Sequence, residues 1–188
     1  MKISKDKKLC EEYIGKHPVI SISLKGINAA SYEAAFELTV KTIKGAVQKA
    51  GFLKMSDKLD EDEKKEYRAI LDENMSEATL FWSLKNLSEL LEKHYETKVI
   101  LLIDEYDVPL AKAFENGYYD KMVFLIRNLL EQTLKTNNSL KFAVMTGCMR
   151  ISKESIFTGL NNLKVLSITD ERFDEYFGCL LYTSPSPR

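Results

Sequence analysis

Apolar and polar positions along the chain fall into segments of two periods. Pro18-Val19-Ile20-Ser21-Ile22-Ser23-Leu24 alternates in the manner of a strand, with proline at the first position, where its missing N–H matters least. After Ser31, a helix cap, Phe36, Val40, Ile43, Val47 and Ala50 recur at three- and four-residue steps, predicting a long helix closed by Gly51. Ser76 opens a second such helix whose stripe, Leu80, Leu84, Leu87 and Leu91, is ordinary core. Val99 to Ile103 is an unbroken apolar run, which predicts a strand covered on both faces, as in a parallel sheet between helices. Beyond it, Asn116-Gly117 signals a turn, and Met122, Ile126, Leu129, Leu130 and Leu134 mark another helix. Lys141 to Thr146 reads as a further buried strand broken by Gly147, and Lys164 to Ile168 as a last strand. A short helix over Lys5 to Ile14, ended by Gly15, precedes them all, and the charged run Asp57 to Glu66 passes from a solvated loop into an exposed helix. Strand, helices, strand, helix, strand is the order of an α/β domain with a parallel sheet.

Composition narrows the class without naming it. A chain of 188 residues, 45% apolar and 29% charged, suits one soluble domain with its own core. A formal net charge of −1 gives no electrostatic case for nucleic acid or an anionic membrane as partner. No apolar run reaches the ~18 residues of a membrane span. The basic start, Met1 to Lys8, lacks the apolar core of a secretion signal, so the chain reads as cytoplasmic. Cys10, Cys148 and Cys179 show no paired spacing and suit reduced thiols rather than a disulfide framework or a zinc site. His17 and His94 are far apart and outside any metal-ligand pattern, and read as structural or solvated.

The chemistry concentrates where the apolar run ends, at the adjacent carboxylates Asp104 and Glu105. In open α/β sheets ligands bind beyond the carboxyl ends of the strands. An Asp-Glu pair there matches the Walker B element of P-loop NTPases, in which the Asp holds Mg²⁺ and the Glu orients or activates the attacking water. The plainer alternative is a buried strand that ends in solvated acids.

Longer segments extend the match: P-V-I-S-I-S-L-K-G at Pro18 to Gly26, L-I-D-E-Y-D-V-P-L at Leu102 to Leu110, and E-N-G-Y-Y-D at Glu115 to Asp120. They continue with K-F-A-V-M-T-G-C-M-R-I-S-K-E-S-I-F-T-G-L-N-N-L at Lys141 to Leu163 and D-E-R-F-D-E-Y-F-G at Asp170 to Gly178. Together they resemble the bacterial AAA-ATPase-like family, P-loop proteins often fused to a C-terminal domain of the PD-(D/E)XK nuclease type. The resemblance implies a partial P-loop NTPase domain over residues 1–178, an α/β three-layer sandwich with a parallel sheet, and ATP with Mg²⁺ as ligands. Asp104 would hold Mg²⁺ through water, and Glu105 would be the catalytic carboxylate. Thr146, at the tip of the sensor strand, would hydrogen-bond the attacking water or the γ-phosphate. Arg150 would supply positive charge to the phosphates, or else pair on the surface with Glu154; both readings stand. Asp107 is read first as the cap of the following turn, with support of the acids as the alternative.

One departure from the family pattern governs the rest. A Walker A loop, G-x-x-x-x-G-K-[ST], is needed to cradle phosphate on backbone N–H groups. No glycine here is followed by Lys and then Ser or Thr; Gly15-Lys16-His17 comes nearest and leads into a strand. The P-loop and the first, central strand are therefore expected upstream of Met1, and the nuclease-like domain downstream. On that expectation the strand Lys141 to Thr146 presents an unpaired apolar edge, an aggregation hazard, and the chain alone binds ATP weakly or not at all. Residues 179–188, C-L-L-Y-T-S-P-S-P-R, are expected to be a disordered or non-native tail, the latter because they resemble a translated sequencing adapter. Two other functions compete. One is a regulatory or interaction module that keeps the NTPase fold without hydrolysis. The other is a nuclease metal site on Asp104, Glu105 and Asp107, disfavoured because Lys98 and Lys141 lie at the opposite strand ends. No arginine finger from a second subunit is identifiable, and the oligomeric state stays open.

Overall fold

The computed structural model describes residues 2–148, 156–157 and 163–166. The chain divides into two units, residues 1–16 with 162–188, and residues 17–161. In the first, a 3₁₀ turn leads into helix α1, Lys7–Tyr13, whose cap Asp6 accepts the Leu9 N–H at 3.1 Å. Gly15 then reverses the chain with φ +68°. Of the strand expected over Lys164 to Ile168, residues 164–166 adopt no regular structure, and Ser167 and Ile168 lie outside the described residues.

The second unit is built on three parallel strands, β1 (Val19–Ser23), β2 (Val99–Asp104) and β3 (Leu140–Met145), with β2 in the centre. Parallel neighbours require long crossovers. Helices α2 (Tyr32–Gln48), α3 (Glu61–Ile70) and α4 (Glu77–Tyr95) connect β1 to β2, and α5 (Val108–Glu115) and α6 (Tyr119–Leu134) connect β2 to β3. The sheet is thus the parallel α/β sheet expected from the alternation of periods.

Register decides which residues share a face. Ile20 lies beside Leu101 and Ile22 beside Ile103, and all four are buried, with α2 packed on β1 and α4 on β2. The opposite face differs from the sequence expectation of a strand covered on both sides. There Val19 is 53% exposed, Leu102 37%, Phe142 40% and Val144 45%, although Ile100 between them is buried. Leu101 and Ile103, at 0% and 2% exposure, each contribute about 1.5–3 kcal/mol by burial.

Two helices also depart from the expected pattern. In α2 the buried positions are Ala35, Thr39, Ile43, Ala46 and Val47, so the core stripe is rotated and Phe36 and Val40 lie at its margin. Ala35, Thr39 and Ala46 belong to that stripe, and a periodicity count weighted toward bulky side chains does not register them. The sequence pattern names no helix between β2 and the Asn116-Gly117 turn, yet α5 forms there; Pro109 sits in the first turn, where its missing N–H has no helical acceptor to lose. By contrast Leu80, Leu84, Leu87 and Leu91 of α4 are all buried as the stripe predicted.

Polar ties hold the helices in place around the sheet. The Tyr67 hydroxyl, fully buried, donates to the Val47 carbonyl at 2.9 Å and joins α3 to α2. Tyr32 donates to Glu77 at 3.0 Å, and burial together with that carboxylate pushes its phenol up to about 12. Tyr118 donates to the Ala29 carbonyl at 2.7 Å, fixing the loop after β1 against the start of α6. The histidines are structural: His17 Nδ1 lies 2.8 Å from the Lys98 carbonyl, and His94 Nδ1 lies 2.8 Å from Ser56 Oγ.

Candidate active site at the carboxyl edge of the sheet

All three strands end at one edge, where their side chains fall into a row. Pairing sets Ser23 of β1 beside Asp104 of β2. Phe142 and Val144 point to the open face, and strand alternation sends Thr146, two residues on, the same way. The ladder extends past β3 through a bond from Thr146 N–H to the Ile103 carbonyl at 2.9 Å. The Thr146 hydroxyl donates to Asp104 Oδ1, joining the tips of the two strands. Asp104 is exposed and therefore available to a ligand.

The chain turns sharply after Asp104. Glu105 has φ +53°, the left-handed region that favours glycine, and its carboxylate is carried toward β1, where Oε1 lies 3.7 Å from Lys25 Nζ. Lys25 is largely exposed, so the ion pair contributes little to stability. Leu24 N–H donates to the Asp104 carbonyl at 2.9 Å, which keeps Lys25 at this edge. Tyr106 N–H then donates to the Thr146 carbonyl at 3.1 Å. Burial, and secondarily the Asp107 charge, raises the Tyr106 phenol above its ordinary value.

Asp107 occupies the N-cap position of α5, yet its side chain makes no cap hydrogen bond. Its Oδ2 instead accepts the Cys148 N–H at 3.0 Å. The sequence reading of Asp107 as a cap is thus right in position and wrong in bonding. Arg150, the other group expected here, lies outside the described residues, as does Glu154. Of the expected site residues, Asp104, Glu105 and Thr146 are together at one strand edge. Ser23, Lys25 and Gly147 join them there; only the register of β1 against β2 and of β2 against β3 could have shown it.

Among the described residues no group of three or more His, Cys, Asp and Glu side chains could hold a metal by itself. The donor set still fits Mg²⁺, which is characteristically held by one or two carboxylates plus substrate phosphates and water rather than by an all-protein cage. An exposed carboxylate with a hydroxyl beside it, at the open end of a parallel sheet, is such a partial donor set.

A parallel α/β sheet with acids at its carboxyl edge is the arrangement of part of a P-loop NTPase-like sandwich. The chain belongs to the AAA-ATPase-like family, described as "Predicted AAA-ATPase", whose model matches residues 2–157. It is also similar to an uncharacterized protein in the vnfD 5' region of Azotobacter chroococcum mcd 1, at 31% identity over 90 residues. That match covers 43% of the chain and 16% of the relative. No solved structure matches it significantly. Among the described residues no helix is long and apolar enough to cross a membrane.

Proposed function

We propose that this chain carries the hydrolytic half of a Mg²⁺-dependent ATPase site, with Asp104 and Glu105 as its Walker B acids. The observation that supports it most is the junction of Asp104 with Thr146 on the open face, with Glu105 turned out of the strand beside them. Asp104 would hold the metal, and Thr146 both orients that carboxylate and presents a hydroxyl toward water or phosphate. Glu105 orients the attacking water and accepts its proton. Asp104 would hold Mg²⁺, which would supply positive charge to the phosphates. Arg150 adds positive charge to the phosphates. The phosphate-gripping loop comes from outside these residues, since no glycine here is followed by Lys and Ser or Thr. The cytoplasm is the setting we assign.

Lys98, a candidate for a nuclease site, is held at the other end of β2 by Glu92 Oε1 and the Asn138 carbonyl, each at 2.5 Å. A lysine engaged there is not placed to serve a nuclease metal site on Asp104, Glu105 and Asp107. The test is Mg·ATP titration and turnover on the 188-residue chain and on a longer protein that includes a G-K-[ST] loop. Binding is expected only with the loop present. Micromolar binding by the 188-residue chain would contradict that division of labour.

A further inference from the structure

Asp107 is 3% exposed, three residues beyond a strand end that faces solvent. A carboxylate is buried at high cost unless it is hydrogen-bonded. The position it occupies ordinarily lets an Asp cap the helix that follows, but here the side chain turns away from α5 and reaches the segment after β3. Gly147 makes that approach possible. A Cβ on it would stand 2.7 Å from Asp107 Oδ1 and 2.8 Å from Tyr106 Cε1, closer than any side-chain carbon tolerates. On the far side the Tyr106 ring meets Phe157 edge-on, with centroids 5.4 Å apart.

We propose that Asp107 is a positioning residue that latches the segment after β3 onto the turn after β2 and so fixes Thr146 against Asp104. The proposal rests on the ATPase reading only in taking Asp104 and Thr146 as groups that face nucleotide. Thr146 is held from one side by the sheet ladder, through its N–H on Ile103, and from the other by the Asp107–Cys148 bond two residues on. The Tyr106 N–H on the Thr146 carbonyl closes the ring of contacts between the two loops. Without the latch the strands remain, but the tip of β3 is tethered on one side only. Displacements of about 1 Å in such groups cost on the order of 100-fold in rate.

Residue-resolved amide exchange on the 188-residue chain tests this. Asp107→Ala is expected to speed exchange at Cys148 about tenfold, the weight of one hydrogen bond to a charged acceptor, with smaller increases at Thr146 and Tyr106. Leu101 and Ile103 should keep wild-type exchange. Asp107→Asn retains an acceptor oxygen and should restore most of the protection at Cys148, while Gly147→Ala should reproduce the Asp107→Ala pattern from the other partner. Unchanged exchange at Cys148, equal acceleration through all three strands, or an Asn variant no better than Ala would each overturn the latch. In a protein that turns over ATP, Asp107→Ala should lower kcat about 10- to 100-fold with nucleotide affinity unchanged. The exchange pattern without any hydrolysis by wild type would sink the ATPase reading and leave the latch standing. Hydrolysis without the pattern would sink the latch alone.

Discussion

Glu105 leaves β2 in the left-handed region, a conformation that costs a residue with a Cβ about 1–2 kcal/mol. The reward is direction: continued alternation would send the side chain back toward the covered face, whereas the turn carries it to the edge beside Asp104 and Lys25. Glu105→Gly should therefore raise stability by about 0.5–1 kcal/mol in thermal melts while abolishing turnover. A variant that melts lower than wild type would mean that the strain is absent or that the Lys25 pair outweighs it. Thr146→Val keeps the shape of the strand tip and removes the donor to Asp104; it should weaken Mg²⁺-dependent turnover and leave melting within about 1 kcal/mol of wild type. Asp104, Glu105 and Thr146 were legible because each stands where an apolar run stops. Lys25, Ser23 and Gly147 were not, since their place beside the acids comes from pairing between distant strands.

At the scale of elements, packing decides what periodicity leaves ambiguous. The leucine stripe of α4 announced itself, while α2 buries a stripe that includes Ala35, Thr39 and Ala46 and α5 hides behind a proline that suits a first turn. Tyr67→Phe removes the bond to Val47 in a fully buried setting and should cost about 1–2 kcal/mol in chemical denaturation, with no effect on the strand edge. Between α4 and β2, Lys98 and then Ser139 hold the Glu92 carboxyl below its ordinary range. A carboxyl depressed in the folded state contributes stability above its unfolded pKa and loses it as pH falls through the folded one. Melts taken from about pH 6 to about pH 3 should thus show a smaller acid loss for Glu92→Gln than for wild type. Parallel losses in the two proteins would mean that the Glu92–Lys98 pair contributes nothing.

At the scale of the molecule, the family and the sheet agree, and the open face is what the sequence failed to announce. An unbroken apolar strand suggested helices on both sides, yet Leu102, Phe142 and Val144 stay more than a third exposed, with β3 an edge strand among the described residues. Such an edge invites pairing with another chain. Val144→Lys should lower light scattering at high protein concentration without loss of helical signal, and unchanged scattering would assign the association to another surface.

On the proposed reading, the acids at the end of β2 act on nucleotide. Single-turnover hydrolysis of Mg·ATP, in a protein carrying both this chain and a phosphate loop, should separate wild type from Glu105→Gln. For Glu105→Gln, nucleotide affinity is expected within about threefold of wild type and hydrolysis slower by roughly 100-fold or more. Hydrolysis at the wild-type rate in Glu105→Gln would contradict it.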